Sequence, residues 1–212
     1  MTEGRQPGRP RSEASRQAIL VAAVELVVEI GYARTTIEGI AARAGVGKQT
    51  IYRWWPSKAD VLLEAGAAKA DLHVPVTDHG SYRSDLRAFL EASYQIANQS
   101  RFADVLRALM AEAQIDPGFA NRFRVAFLER RREALAVITD RARERGDLPA
   151  RPDPGTVADI VFGTIWYRVL ATRQPFDSHL VDDLVAVLAE AVLTETLPAA
   201  GRSRPLPSSG QG

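Results

Sequence analysis

Apolar residues recur every three or four positions along most of the chain, which is the spacing of one face of an α-helix. The first stripe predicts a helix that is capped by Ser12 and ends at Gly31. The same spacing, with Asp-Pro starts and glycine stops, predicts further helices over residues 57–71, 82–99, 102–114, 117–145, 154–171 and 179–196. Since no run alternates at the period of a strand, the expected fold class is all-α.

Residues 36–60, TIEGIAARAGVGKQTIYRWWPSKAD, contain two short helical patterns on either side of a tight glycine turn. The first pattern is expected to begin at a capping box formed by Thr35 and Glu38. Gly45 fits the left-handed residue that ends a helix, and the second helix is expected over residues 48–55. Two crossed helices joined in this way form a helix-turn-helix, whose second helix enters the major groove of DNA.

The second helix of this motif is expected to bury Ile51 and one of two adjacent tryptophans. Trp54 and Trp55 are neighbours in the sequence, so they cannot lie on the same helix face. Ser57 and Asp60 are expected to cap the next helix.

The motif resembles the DNA-binding domain of the tetracycline-repressor (TetR) family of bacterial transcription regulators. The match consists of the run from Thr35 through Ala41, the corner Ala44-Gly45-Val46, and Ile51-Tyr52 followed by Pro56-Ser57-Lys58. One position departs from the family's pattern, since the residue before the second helix is commonly serine and is Gly47 here. The resemblance implies an N-terminal DNA-binding domain followed by a helical domain that binds a ligand and dimerises.

The residues predicted to contact DNA lie in and around the second helix. By position, Lys48 and Gln49 are expected to contact bases, because lysine suits guanine acceptors and glutamine can pair with adenine. Arg53 is a further candidate. The resemblance implies phosphate contacts, which fix register without reading sequence, at Thr36, Thr50, Tyr52 and Lys58. The alternatives are that Tyr52 only packs on its helix and that Lys48 is only solvated.

The N-terminal residues Pro7-Gly8-Arg9-Pro10-Arg11 are similar to the core of AT-hook arms, which lie in the narrow minor groove of A·T-rich DNA. We therefore expect Arg9 and Arg11 to extend the contact with DNA into the flanking minor groove. The alternative is a disordered basic tail that adds only nonspecific attraction.

Composition and charge agree with a DNA-binding regulator. The chain has 212 residues, of which 46% are hydrophobic and 25% are charged, as in an ordinary soluble globular protein. Eight basic and five acidic residues precede Pro56, although the net charge of the whole chain is only +1. The chain has no cysteine, no apolar run near the ~18 residues of a membrane span and no apolar signal-peptide core. A cytoplasmic protein without a membrane contact is therefore expected.

Breakers and caps divide the chain into five segments. They are a disordered basic arm (1–11), a helix-turn-helix domain (12–56), a linker helix (57–72), a regulatory and dimerisation domain (82–197) and a disordered tail (198–212).

An aromatic stripe marks the predicted regulatory domain, where Phe119, Phe123 and Phe127 recur every four residues. A stripe at helical spacing is core by default, whereas a ligand site is an apolar cavity with a few polar groups. The candidates for lining a ligand pocket are Tyr94, Phe102, Met110, Phe123, Phe127 and Trp166, with Arg107, Gln114 and Arg168 as candidate polar anchors.

The last two predicted helices carry wide apolar faces, more than a pair at the end of a chain needs. This favours a four-helix interface between two copies, as in the family, with Ile160, Thr164, Leu184 and Leu188 as candidate interface residues. A symmetric dimer requires two half-sites of opposite orientation, so a near-palindromic operator is expected.

These observations predict a ligand-responsive transcriptional regulator, most simply a repressor, that binds double-stranded DNA as a homodimer and is released by a small apolar or aromatic effector. The alternatives are a regulator controlled by a protein partner and an architectural DNA-binding protein without a ligand. An enzyme is not expected, because the chain has no cysteine nucleophile, no metal-ligand spacing and no phosphate-cradling glycine loop. No cofactor and no metal are predicted.

Overall fold

The structure is a computed structural model that describes residues 9–71, 76–148 and 153–190. In these ranges all regular secondary structure is helical, as predicted. The helices are α1 (Arg9–Ile30), α2 (Ile37–Ala44), α3 (Lys48–Tyr52), α4 (Lys58–Asp71), α5 (Tyr82–Ala97), α6 (Ser100–Ile115), α7 (Pro117–Phe123), α8 (Arg130–Arg145), α9 (Pro154–Trp166) and α10 (Ser178–Val185). None of them is long and apolar enough to span a membrane.

The first helix begins at Arg9, three residues before the predicted cap at Ser12. Proline is tolerated in the first turn of a helix, where its missing N–H has no partner in any case, so Pro10 does not delay the start. The predicted arm falls partly on residues 1–8, which lie outside the described residues, as does the predicted tail.

Helices α1 to α3 form a small domain, residues 9–56, that we call the head. Its core contains Ile19, Ala23, Ile40 and Ile51, all of which are fully buried. The buried Ile51 confirms the inward face predicted for the second helix of the motif.

The cap of α2 is Thr36, and the predicted capping box at Thr35 is wrong. The Oγ1 of Thr36 accepts a hydrogen bond of 3.0 Å from the backbone N–H of Gly39. Thr35 is fully buried, and its hydroxyl donates instead to the carbonyl of Gly31 over 2.9 Å. Gly45 ends α2 with φ of 67° in the left-handed region, as predicted.

Helix α3 is shorter than the predicted helix over residues 48–55, because it ends at Tyr52. The backbone N–H groups of Trp54 and Trp55 both donate to the carbonyl of Ile51, so the last turn tightens. Pro56 follows and cannot continue the helix.

Helix α4 joins the head to the remaining helices, α5 to α10, which we call the body. The predicted cap is confirmed, because Ser57 Oγ accepts from the backbone N–H of Asp60 and donates to its Oδ2 over 2.7 Å. Along its length α4 packs on both α1 and α6. A Cβ on Gly66 would lie 3.7 Å from Leu109 and Val105 of α6, so the two helices are in close contact there.

The helix predicted over residues 117–145 is continuous in the structure, with one wide π-helical turn, Arg124–Glu129, between α7 and α8. Asp116 caps its start and Gly146 ends it with φ of 78°, as predicted. Similar π-helical segments, Tyr167–Thr172 and Ala186–Glu190, extend α9 and α10. A widened turn changes which side chains face inward, which periodicity alone does not reveal.

Candidate DNA-binding face and ligand cavity

Helix α3 presents its predicted DNA-contacting residues together on one exposed surface. Lys48, Gln49, Tyr52 and Arg53 are exposed and Thr50 is half-buried. One shallow depression is bordered by Gln49, Thr50, Tyr52 and Arg53. One wall of a DNA groove can therefore contact all four side chains. Helical periodicity explains the arrangement, because the burial of Ile51 turns the other side chains outward.

Lys48 has a partner within the head that the sequence reading did not anticipate. Its Nζ lies 3.6 Å from Oε1 of Glu38 on α2, and both side chains are largely exposed. An exposed pair of this kind contributes little to stability, so a DNA base or phosphate can displace the carboxylate at small cost.

Thr36 and Lys58, both predicted to contact phosphates, also hold the head together. Thr36 is exposed at the start of α2 while its Oγ1 caps that helix. The Nζ of Lys58 donates to the carbonyls of Tyr32 over 2.9 Å and of Thr35 over 2.8 Å. Since an ammonium group has three donors, these two bonds leave one donor for a phosphate.

The two tryptophans after α3 separate as predicted, with one in the core. Trp55 is 4% exposed, and Trp54 is half-buried with its ring edge-on to that of Trp55 at 5.4 Å. The guanidinium of Arg53 stacks on the Trp54 ring at 5.0 Å, which orients it at the end of the recognition surface. The side chains of Arg9 and Arg11 lie outside the described residues.

The body contains a cavity of about 520 Å³ between α5, α6, α8, α9 and the turn Arg124–Glu129. Four of the residues predicted to line a pocket do so: Phe102, Met110, Phe127 and Trp166. The volume falls within the range of ordinary small-molecule sites, and the walls are mainly apolar.

Tyr94 and Phe123, which were also predicted to line the pocket, are core residues instead. Tyr94 packs on Phe176 with 4.7 Å between ring centroids, and burial raises the pKa of its hydroxyl. Phe123 lies between Phe119 and Phe127 in a stack with centroid distances of 6.2 and 5.6 Å. Only the relative rotation of the packed helices decides which member of such a stripe meets empty space.

The polar residues of the cavity differ from the predicted anchors. Arg107, Gln114 and Arg168 lie outside its lining; Arg107 donates to the carbonyl of Val169 and Arg168 to that of Pro175. The polar lining consists of Ser93, Arg124, Glu129, Arg131, Arg132 and Asp159. The signal that sequence reasoning missed is the cluster of arginines close to Phe127, on the same helix.

Most of these polar groups are ordered by contacts with each other. Arg132 pairs with Asp159 at 2.6 Å, and Arg124 pairs with Glu129. Arg131 donates to Ser93 Oγ over 2.8 Å and lies over the ring of Phe89 at 5.6 Å. The cavity therefore combines apolar walls with a fixed charged side formed by α8, α9 and the turn before α8.

The candidate dimer residues fall on two different sides of their helices. Leu184 and Leu188 are buried in the core of the chain itself, so they do not belong to an exposed face. Ile160 and Thr164 lie on the outer side of α9. The exposed apolar residues Tyr167, Leu170 and Val187 accompany them.

Two family models match almost all of the helical part of the chain. Residues 19–65 match the model of bacterial regulatory proteins of the tetR family, and residues 76–188 match that of the tetracyclin repressor-like C-terminal domain. The second match alone spans more than half of the chain. The chain belongs to the TetR family. TetR-family proteins are DNA-binding transcription regulators and not enzymes.

Individual TetR relatives agree with this assignment. The chain is 34% identical over 178 residues to YdeS, an uncharacterized HTH-type transcriptional regulator of Bacillus subtilis, covering 84% of this chain and 89% of the relative. The crystal structure of the TetR family transcription regulator SCO0332 superposes with a TM-score of 0.71 at 31% identity, covering 84% of this chain and 98% of that one. FadR of Bacillus subtilis, solved in complex with stearoyl-CoA, has the same fold with a TM-score of 0.69 at 21% identity. The match covers 83% of this chain and 98% of that one.

Proposed function

We propose that this regulator is a ligand-responsive repressor. Two copies bind a near-palindromic operator, and an apolar or aromatic small molecule that enters the cavity releases the protein from the DNA. The observation that supports this most directly is the position of α6, which lines the cavity with Phe102, Leu106 and Met110 and also packs against α4, the helix that follows the helix-turn-helix.

The DNA-binding part of the proposal assigns base contacts to Lys48, Gln49 and Arg53. Thr36, Thr50, Tyr52 and Lys58 would bind phosphates. The exposure of the α3 residues supports these assignments, and so does the absence from α3 of acidic side chains that would repel DNA.

The composition of the cavity supports a ligand with an apolar body and a polar or anionic end. The apolar walls suit a hydrocarbon or aromatic group, and the arginines among the lining residues suit a carboxylate or phosphate. Stearoyl-CoA, which is bound to the structurally similar FadR of Bacillus subtilis, combines these two properties.

The homodimer would form through the outer faces of α9 and α10. Ile160, Tyr167 and Leu170 are spaced by seven and three residues, so they share one side of α9 and its extension. They are 39%, 64% and 40% exposed in the single chain, and Val187 after α10 is 58% exposed. A second copy would cover this apolar surface.

The proposal is tested by selecting bound sequences from random duplexes with the purified protein. The double variant Lys48→Ala, Gln49→Ala should lose the selected site, because it lacks the two base-contacting side chains. A matched control, Gln95→Ala, Arg101→Ala, removes an exposed amide and an exposed positive charge from the body and should keep it. Failure of the wild type to enrich any palindrome would contradict the proposal and favour an architectural or protein-controlled regulator.

The ligand part is tested by adding stearoyl-CoA or 1-naphthoate to the complex with the selected duplex. Release by either compound should be weakened in Met110→Trp, which fills part of the cavity. Release that is equally strong in this variant would place the ligand outside the cavity.

The N-terminal arm is tested with the variant Arg9→Ala, Arg11→Ala. If the two arginines lie in the minor groove, their loss should weaken binding to A·T-flanked sites more than to G·C-flanked sites. An equal loss on both would mean that the arm contributes charge alone.

A further inference from the structure

Tyr32, in the turn between α1 and α2, links the head to the cavity-bearing helix α6. Its hydroxyl donates to Oε2 of Glu112 over 2.7 Å, although the two residues are 80 positions apart. Both burial and this hydrogen bond raise the pKa of the tyrosine, so the hydroxyl keeps its proton. This hydrogen bond joins α6 of the body to the head.

The same tyrosine holds Lys58 at the start of α4. The ammonium of Lys58 donates to the carbonyl of Tyr32 over 2.9 Å and lies 4.2 Å from the centroid of the tyrosine ring. Lys58 also donates to the carbonyl of Thr35, directly before the capping residue of α2. A continuous chain of polar contacts thus runs from α6 through Tyr32 and Lys58 to the first helix of the motif.

A second bridge connects α4 with α7. Arg122 Nε lies 2.6 Å from Oδ1 of Asp60, and its Nη2 lies 3.2 Å from Oδ2. Asp60 is 7% exposed and also accepts from the hydroxyl of Ser57. A two-point contact between a guanidinium and a carboxylate is directional, so it fixes the start of α4, which directly follows the head, against α7 of the body.

Both bridges begin beside residues that line the cavity. Met110 lines it two residues before Glu112 on α6, and Arg124 lines it two residues after Arg122. Movement of these cavity walls would therefore also displace the partners of Tyr32 and Asp60.

We propose that Tyr32 and Arg122 are positioning residues for operator recognition. They hold the head in one orientation on the body, and in a dimer this orientation sets the separation of the two α3 helices and hence the half-site spacing that the protein accepts. This inference rests on the homodimer of the proposed function. A head that has lost both bridges pivots, so it tolerates half-sites at other spacings.

The experiment compares operator duplexes that differ only in spacing. The selected palindrome is prepared with its own spacer, with one base pair more and with one fewer, beside a duplex with a single half-site. Affinities are measured for the wild type and for Tyr32→Phe, Arg122→Gln and the double variant. Tyr94→Phe removes a buried hydroxyl inside the body, and Arg87→Gln removes an ion pair between α5 and α10, so these variants are the matched controls.

In the double variant, the ratio of affinities for the native and altered spacers should fall at least about fivefold. This is the low end of typical coupling between sites. The affinity of the double variant for the single half-site should stay within about twofold of wild type, since no DNA-contacting residue changes. The controls should keep the wild-type preference. A loss of stability alone would weaken binding to all four duplexes in the same proportion, and that result would overturn the positioning role.

A conservative exchange provides a second test if the double variant folds poorly. Glu112→Gln keeps an oxygen that can accept from Tyr32, so it should retain the spacing preference, whereas Glu112→Ala should lose part of it. A preference that persists in Glu112→Ala and in both single variants would overturn the inference while leaving the homodimer intact. A wild type without any spacing preference would overturn both.

Discussion

The indole N–H of Trp55 donates to Oε2 of Glu64 over 3.0 Å and thereby attaches the end of the helix-turn-helix to α4. The other oxygen of the same carboxylate lies 2.7 Å from Nη2 of Arg16 on α1. Glu64 thus joins α1, α4 and the segment after α3, and the position of the recognition helix depends on a residue outside the motif.

We expect Glu64→Ala to lower the free energy of unfolding by about 1–3 kcal/mol, because the buried indole donor would lose a charged acceptor. Glu13→Ala is the matched control, because Glu13 also pairs with Arg16, at 3.7 Å, but its side chain is largely exposed. It should change stability by less than about 0.5 kcal/mol. Urea unfolding monitored by tryptophan fluorescence measures both, and equal effects would show that the Trp55 contact contributes nothing.

Two glycines of the chain should respond to alanine in opposite directions. Gly66 lies inside α4, where a new Cβ would meet Leu109, Val105 and Phe102 only at van der Waals distances of 3.7 to 4.0 Å. Gly66→Ala should therefore stabilise the protein by about 0.5–1 kcal/mol, since glycine is the poorer helix former. Gly45 has open space around it but a φ of 67°, so Gly45→Ala should destabilise by about 1 kcal/mol or more.

Thermal melting of the two glycine variants decides between backbone and packing effects. A lower melting temperature for Gly66→Ala would mean that α4 and α6 are packed too tightly for a methyl group. An unchanged melting temperature for Gly45→Ala would mean that the turn does not need its left-handed residue.

Because Tyr82 is buried, the free energy of unfolding should depend on pH in the alkaline range. Tyr82 is 2% exposed, its hydroxyl has no hydrogen-bond partner among the described residues, and burial raises its pKa to about 12. Below pH 10 the tyrosine is neutral in both the folded and the unfolded chain, so its full contribution to the free energy of unfolding is present. Between pH 10 and 12 the unfolded chain loses the proton while the folded chain keeps it, and stability falls as pH rises.

Tyr82→Phe should therefore reduce the alkaline loss of stability by at most about 3 kcal/mol and change little at neutral pH. Guanidinium unfolding at pH 7 and at pH 11, for wild type and variant, measures the difference. Parallel losses in the two proteins would show that the buried hydroxyl ionises as easily as in the unfolded chain.

Removing the negative charge of Glu38 should raise the affinity for DNA. The Glu38 carboxylate pairs with Lys48 at 3.6 Å on the exposed surface, so this contact competes with DNA for the ammonium. Glu38→Gln should tighten binding to the selected duplex about two- to fivefold, because exposed pairs of this kind contribute about 0.2–1 kcal/mol.

The gain from Glu38→Gln should shrink at high salt, where the competing pair is screened. Fluorescence anisotropy with a labelled duplex at two salt concentrations provides the comparison. Glu91→Gln, which removes an exposed carboxylate from α5 of the body, is the control. Equal tightening by both exchanges would reflect net charge and not the release of Lys48.

Helices and their ends could be predicted closely because their causes are local. The caps at Ser57, Asp116 and Asp153 and the stops at Gly45 and Gly146 each involve residues within a few positions of one another. Thr35 and Thr36 mark the limit of this reasoning. Both can cap a helix, and Thr35 is excluded only because the turn before α2 buries it.

The sites were less predictable, because they depend on how helices rotate against each other. Phe123 and Phe127 share one aromatic stripe, yet only Phe127 lines the cavity. Leu184 and Leu188 carry the pattern of an interface but face the core of their own chain. Periodicity places a residue on a helix face; it does not state what that face meets.

The sequence by itself determined the all-α fold class, the helix-turn-helix and the residues that α3 presents outward, since 3.6-residue periodicity, capping and glycine turns act over short distances along the chain. The tertiary structure decided the cavity, its charged side and the bridges from Tyr32 to Glu112 and from Asp60 to Arg122. These contacts join residues 62 to 80 positions apart. They exist only after the helices have packed, because no local interaction fixes the angle at which two helices meet.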